Sequence, residues 1–201
     1  MYMSKNALCL LAALFLGLSG NAARADELYT FDKEHTAIDF SVTRLGMSEV
    51  KGQFRDYNGD FVFCIRHPDK DSVAITLYPV GIRTGNEDMD NQLRGPYFFN
   101  AQQFPRMRFV STAVRLIDKD NAKVTGNLTL LGITKPITLD THFTRKEHDV
   151  ESGDYAVSFS ASGVIKRSDF GMTHLGAIVG NEVRLNIEVQ GIEEKAGFKK
   201  M

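Results

Sequence analysis

The feature that most constrains this chain is an alternation of apolar and polar residues with a period of two, clearest over residues 126–140. Leu128 and Leu130 alternate with polar neighbours before Gly132, and Leu139 belongs to the matching pattern after it. A period of two gives each limb one apolar and one polar face, which is typical of a half-buried β-strand. Gly132 supplies the backbone freedom that a tight turn requires, so this stretch predicts an antiparallel hairpin.

The same pattern recurs along most of the chain and predicts about eight to ten strands joined mainly by short links. Asn58-Gly59 predicts a tight hairpin turn, because both residues tolerate positive φ. Residues 145–154 form a charged stretch that we expect to be a loop. This arrangement favours an all-β antiparallel barrel or sandwich, and periodicity alone does not choose between them.

One helical insert, at about residues 86–104, interrupts the strands. Acidic residues open the stretch Glu87–Arg94, and Gly95-Pro96 ends it, so we expect a short helix there. The aromatic cluster that follows, residues 97–104, predicts a further helical turn. The insert is placed to cover one end of the sheet.

The first 25 residues have the composition of a cleaved signal peptide. Lys5 precedes an apolar run over residues 7–18, and Ala23-Arg24-Ala25 offers small residues at a cleavage site. The apolar run is shorter than the ~20 residues of a spanning helix, so we expect export without a stable membrane anchor. Residues 26–201 then form a single domain in which Cys64 is the one cysteine, so stability has to come from packing rather than from an internal disulfide.

The charge and the motifs exclude several function classes. A net charge of −1 lacks the basic excess of a nucleic-acid-binding surface. The sequence contains no G-x-S-x-G, P-loop or G-x-G-x-x-G motif, and its five histidines show no metal-ligand spacing. We therefore predict neither a catalytic centre nor a metal site.

Several stretches resemble the YceI-like family of exported bacterial proteins in the order in which they occur there. The most specific is Gly126–Pro136, and the next is Ile165–Met172. The other matching stretches are His35–Phe40, Val50–Phe54, Gly85-Asn86-Glu87, Leu93-Arg94, Phe98-Phe99-Asn100 and Phe104-Pro105.

This resemblance implies an extended, eight-stranded, lipocalin-like antiparallel barrel in the periplasm. It implies an apolar channel that binds a polyisoprenoid quinone or another long-chain amphiphilic lipid, with no other cofactor and no bond-breaking chemistry, in a monomer or homodimer. Two alternatives stay open: a barrel enzyme that modifies such a lipid, and a stress-related interaction protein whose barrel is filled by its own side chains.

Apolar residues at alternating strand positions, together with three from the insert, are the candidate channel lining. They are Phe40, Val42, Phe54, Phe61, Phe63, Ile75, Leu77, Met89, Leu93, Phe98, Phe109, Leu128, Leu130, Leu139, Phe159 and Ile165. The alternative is an ordinary packed core without a cavity. The insert residues Met89, Leu93, Phe98, Phe99 and Phe104 form either an adaptable lid or an anchor for the helix on the barrel, and anchoring is favoured for most of them.

Four charged residues near predicted strand ends or the insert are candidates for contact with a lipid head group. They are Arg83, Arg94, Arg167 and Asp169. Charged residues in such places are also commonly solvated or paired with one another.

Overall fold

The structure is a computed structural model that describes residues 27–148 and 154–194. The predicted signal peptide lies outside the described residues. Within the described ranges the chain forms eleven strands, one α-helix and three short 3₁₀ helices, at Pro68–Lys70, Pro79–Gly81 and Arg167–Phe170. The strands before the helix are β1 (Leu28–Phe31), β2 (Ala37–Arg44), β3 (Ser48–Phe54), β4 (Tyr57–Val62), β5 (Ser72–Leu77) and β6 (Ile82–Arg83). The helix α1 (Glu87–Arg94) is followed by β7 (Met107–Leu116), β8 (Asn121–Leu130), β9 (Ile133–His148), β10 (Tyr155–Lys166) and β11 (Val179–Glu193).

These strands form a closed, eight-stranded antiparallel barrel, which confirms the predicted fold class. Three of the eight positions are each occupied by two consecutive strands: β1 with β2, β3 with β4, and β5 with β6. The barrel closes where β11 pairs with β2 through Leu185 and Phe40 and with β1 through Glu193 and Tyr29. Since β1 also pairs with β4, the ring of hydrogen bonds has no free edge at this seam.

Two local predictions are confirmed by the structure. The hairpin over residues 126–140 is formed by β8 and β9, and its corner residues Leu131 and Gly132 both have positive φ, 51° and 75°. The helix has the predicted bounds. Its N-terminus is capped by Asn86, whose Oδ1 accepts a hydrogen bond from the Met89 amide over 2.9 Å.

Two other local predictions are wrong. Asn58 and Gly59 do not form a turn, because they lie inside β4 and pair with Thr76 and Ile75 of β5. Glycine is needed at 59 for space: a Cβ there would lie 2.2 Å from the Ala74 carbonyl oxygen. Residues 145–148 are not a loop either, since β9 continues to His148 and pairs with β10.

Because the strands run up and down, their connections alternate between the two ends of the barrel. One end, which we call the closed end, carries the turn at 45–47, the insert at 84–106 and residues 167–178. Phe99 of the insert packs there against Phe40 and Phe54, with ring centroids 6.4 and 5.5 Å apart. The opposite end, the open end, carries the connections at 63–71 and 117–120.

The described residues include no helix with the length and apolar character needed to cross a membrane.

Candidate functional site

A cavity of about 420 Å³ runs inside the barrel from the packed insert to the open end. Its walls come from the inward-facing residues of the strands, as the period of two requires. The predicted lining residues that do border it are Phe40, Phe54, Phe61, Phe63, Ile75, Leu77, Phe109, Leu128, Leu139, Phe159 and Ile165. A cavity of this size argues against a barrel filled by its own side chains.

An aromatic cluster forms part of the wall in the open half of the barrel. Phe159 of β10 lies against Phe63 in an edge-on arrangement, with ring centroids 4.9 Å apart, and against Phe61 at 5.8 Å. Phe143 of β9 stacks on Phe63 at 5.3 Å. Sequence reasoning missed Phe143, although its spacing of four residues from Leu139, which puts both on the same face of β9, was the available signal.

Five of the predicted lining residues lie away from the cavity, and their positions correct that prediction. Leu93 and Phe98 pack on the core from the insert, and Leu130 is buried beside them, so these three help to fill the closed end. Met89 is half-buried on α1. Val42 is half-buried near the closed-end terminus of β2 and does not border the cavity.

The helix of the insert is held beside the end of β6 by a buried polar contact, in addition to the packing of the insert's aromatic residues. Asp90 accepts two hydrogen bonds from Thr84, from its amide and its hydroxyl, each over 2.7 Å. Burial of Asp90 raises the pKa of its carboxyl, but these hydrogen bonds together with the positive charges of Arg94 and Arg83 outweigh burial and hold the pKa below its ordinary value. Such contacts are those of an anchored helix, the second of the two roles considered for the insert.

The predicted head-group residues Arg83, Arg94 and Asp169 do not border the cavity, which corrects that prediction too. All three belong to the closed end, which the insert fills. Arg83 and Arg94 both donate to the carbonyl oxygen of Ile82, over 2.7 and 3.1 Å, and Asp169 is exposed.

Arg167, the fourth head-group candidate, is buried with an exposed fraction of 4% and also lies away from the cavity. Its guanidinium donates to four backbone carbonyl oxygens at 2.8 to 2.9 Å, those of Met172, His174, Val179 and Gly180. Arg167 therefore ties the segment between β10 and β11 to the start of β11, and these hydrogen bonds support a structural role.

The cavity ends in a set of residues at the open end that sequence reasoning did not select. This rim consists of Cys64, Ile65, Pro68, Asp71, Leu116, Lys119, Asp120 and Asn121. Most polar residues that border the cavity belong to the rim, and the others are Asp39 and Thr141. The connections 63–71 and 117–120 follow β4 and β7, which both run from the closed end to the open end. Because connections alternate between the two ends, strand order was the signal that could have placed both connections at the same end.

Asp71 is the rim residue with the most perturbed electrostatics. Its Oδ1 accepts a hydrogen bond from the Cys64 amide over 2.8 Å. Burial raises the pKa of Asp71 from 3.8 to about 6, with nearby Asp69 adding to the rise and the Cys64 hydrogen bond opposing it. The carboxyl can therefore donate or accept a hydrogen bond at the cavity entrance, depending on the pH.

Asp71→Asn is expected to flatten the pH dependence of unfolding between about pH 4 and pH 6. The folded state binds the Asp71 proton more tightly than the unfolded chain, so the folded protein loses stability as the pH rises through this window. Because solvent screens a half-buried site, we expect the loss to be about 1 kcal/mol in the parent protein. Urea denaturation at several pH values measures it, and parallel curves for parent and variant would contradict the assignment.

The sequence of this barrel is similar to known proteins over most of its length. The family model of the YceI-like domain matches residues 29–191. The chain is 36% identical over 195 residues to the UPF0312 protein of Pectobacterium atrosepticum, covering 96% of this chain and 100% of that protein. It matches protein YceI of Salmonella arizonae to the same extent. The chain belongs to the YceI-like family.

Solved structures share the barrel of this YceI-like protein. A Campylobacter jejuni YceI protein is 32% identical, with a TM-score of 0.67 over 75% of this chain and 88% of that one. BcnA of Burkholderia cenocepacia is 20% identical, with a TM-score of 0.73 over 80% and 98%. A polyisoprenoid binding domain from Saccharophagus degradans is 12% identical, with a TM-score of 0.63 over 83% and 98%, and like BcnA it speaks for the fold alone.

In the described part of this YceI-like chain, no group of three or more His, Cys, Asp or Glu side chains could hold a metal ion.

Proposed function

We propose that this protein binds a long-chain amphiphilic lipid, with the apolar tail inside the barrel and the head group at the rim. The observation that carries the proposal is the cavity of about 420 Å³, which is lined mainly by aromatic and aliphatic side chains and ends at an exposed rim. Its volume falls within the range of small-ligand sites in proteins. The Saccharophagus degradans domain, described as polyisoprenoid-binding, has the same fold, which supports a polyisoprenoid as one such ligand.

The energetics favour a ligand held mainly by its tail. Burying one methylene group gains ~0.8 kcal/mol, so ten methylenes gain ~8 kcal/mol before the cost of association is subtracted. One neutral hydrogen bond adds only about 1 kcal/mol. The tail therefore sets the affinity, and a few polar groups select the head.

The head-group contacts belong to the rim in this proposal, rather than to the arginines of the closed end. Asp71 and Asn121 offer a carboxyl and an amide beside the cavity, and Lys119 lies on the same rim, paired with Asp120 over 3.1 Å. This mixture of donors and acceptors suits an uncharged polar head, such as the carbonyl groups of a quinone or the carboxyl of a protonated fatty acid.

The proposal includes a role for this binding outside the cytoplasm. Residues 1–25 act as a cleaved signal peptide, and residues 26–201 form the mature domain, which works in the periplasm. There it sequesters or carries the lipid, as a monomer or homodimer and without a stable membrane anchor. The lipid leaves the protein unchanged, because carriage requires no bond to be made or broken.

Native mass spectrometry of the protein purified from a bacterial periplasm tests the proposal. The expected spectrum contains a population heavier than the mature chain, and organic extraction should release a compound with a long apolar chain. The purified protein should also take up added ubiquinone or a long-chain fatty acid. A spectrum of the bare chain together with failure to take up either compound would contradict the proposed function, and conversion of the added compound to a new product would contradict its non-catalytic nature.

A further inference from the structure

We propose that the open end of the barrel docks on the surface of a lipid bilayer, with Ile65, Leu116 and Ile117 in contact with the lipid. The tail then passes between bilayer and cavity without entering water. This inference rests on the proposed function, and the experiments below separate the two.

The first observation is that three large aliphatic side chains project from the open end. The exposed fraction is 65% for Ile65, 48% for Leu116 and 51% for Ile117. Ile65 lies on the connection between β4 and β5, whereas Leu116 and Ile117 lie where β7 turns into β8. They therefore project from two separate connections on one end of the molecule.

The second observation is that both connections are fixed by hydrogen bonds. The Ile117 amide donates to the Asn121 carbonyl oxygen over 2.8 Å, and Asp118 Oδ1 accepts from the amides of Asp120 and Asn121 over 2.9 Å each. On the other connection, the Cys64 amide donates to Asp71 and the His67 amide donates to the Cys64 carbonyl oxygen. The aliphatic side chains are held outward by ordered turns, so little conformational entropy is lost when they meet a surface.

The third observation is that the exposed apolar surface is continuous with the cavity. Ile65 and Leu116 both border the cavity while also being exposed, and the wall continues inward from them through Phe63 and Val114. A tail that leaves through water exposes each methylene at a cost of ~0.8 kcal/mol. When the rim lies on the hydrocarbon of a bilayer, the tail does not enter water and this cost is avoided. A bilayer is therefore favoured over a folded protein as the partner that covers the rim.

Two basic side chains at the open end are available to an anionic bilayer. Arg66 and Arg115 are exposed neighbours of the aliphatic side chains and form no ion pair within the described residues, and the exposed acids beside them are Asp69 and Asp118. Asp120 is already paired with Lys119. Basic residues near an anionic surface strengthen binding.

The closed end provides a matched control. Met47 is 90% exposed on the turn between β2 and β3, so it is at least as accessible as the aliphatic residues of the open end. It is separated from the cavity by the aromatic packing around Phe99. Apolar exposure alone therefore predicts that Met47 meets lipid too, whereas the proposal predicts that it stays in water.

Single-tryptophan variants test the docking directly, because the chain contains no tryptophan. Ile117→Trp is expected to show a blue-shifted emission and protection from an aqueous quencher when vesicles of phosphatidylcholine and phosphatidylglycerol are added. Met47→Trp should show neither. A response of Met47→Trp in place of Ile117→Trp, a response of both, or a response of neither would overturn the proposal.

Transfer kinetics test the consequence. The protein is loaded with a pyrene-labelled long-chain fatty acid, and its release to the same vesicles is followed after mixing. Ile117→Gln is expected to slow transfer about tenfold, since one isoleucine no longer enters the lipid, and Met47→Gln should leave the rate unchanged. Equal rates for Ile117→Gln and the parent would overturn the docking proposal. Absence of probe binding in vesicle-free solution would instead count against the proposed function, and the tryptophan variants would still report on docking.

Discussion

Replacing Ala161 with tryptophan is expected to weaken binding of a long-chain lipid about 100-fold while leaving the barrel folded. Ala161 of β10 borders the cavity between its strand partners Thr141 and Ile187. An indole at this position occupies part of the space that the tail fills. Exclusion of about four methylenes removes ~3 kcal/mol of burial, which corresponds to roughly two orders of magnitude in affinity. Titration of the delipidated protein with a fluorescent fatty acid measures the change.

Ala113→Trp is the matched control for this variant. Ala113 is exposed on β7 and does not border the cavity, so the same substitution there should leave the affinity unchanged. Circular dichroism and thermal unfolding of both variants verify that the barrel is intact. A folded Ala161→Trp protein with the affinity of the parent would show that the tail does not occupy the cavity.

Replacing Arg167 with methionine is expected to lower the free energy of unfolding by about 3 to 5 kcal/mol. The side chain is buried and donates to four backbone carbonyl oxygens, two in the segment between β10 and β11 and two at the start of β11. Methionine has a comparable length but no donor, so these acceptors lose their partner. Because most domains are stable by only 5–15 kcal/mol, the loss should be obvious in urea denaturation.

Lys166→Met controls for the loss of one positive charge. Lys166 is exposed at the end of β10, and its replacement should change stability by no more than about 0.5 kcal/mol. Arg167→Lys keeps the charge but loses the planar fork of donors, so it should recover only part of the stability. Equal stability of Arg167→Met and Lys166→Met would contradict the structural role and reopen Arg167 as a residue available to a ligand.

Strand order allows only part of the head-group site to be predicted from the sequence. The helical insert and Arg167 belong to the same end of the barrel, and alternation of the connections allows that much to be inferred from strand order. The pattern could not reveal that Phe99 and its neighbours fill this end, because filling depends on how aromatic side chains from distant segments meet. The sequence therefore predicts that the arginines lie beside a ligand, whereas the cavity leads to Asp71 and Asn121 at the opposite end.

Asn58-Gly59 illustrates the limit of local turn preference. The dipeptide has the composition of a hairpin turn, but only the backbone conformational energies of these two residues favour that turn. In the barrel these residues instead lie in β4 and pair with β5. The absence of a Cβ on Gly59 allows the Ala74 carbonyl oxygen to approach closely. Pairing with a neighbouring strand outweighs the local preference.

By itself, the alternation along the sequence determined that this chain forms an antiparallel all-β structure with one short helical insert, and which strand residues turn inward. Alternation of polar and apolar residues encodes these features locally, because a one-residue shift would expose an entire apolar face. Only the tertiary structure decided which end of the barrel closes, which inward residues border a cavity and which fill it, and that Arg167 donates to backbone carbonyl oxygens away from the cavity. Those outcomes depend on side chains far apart in the sequence meeting in space, and no local pattern records such meetings.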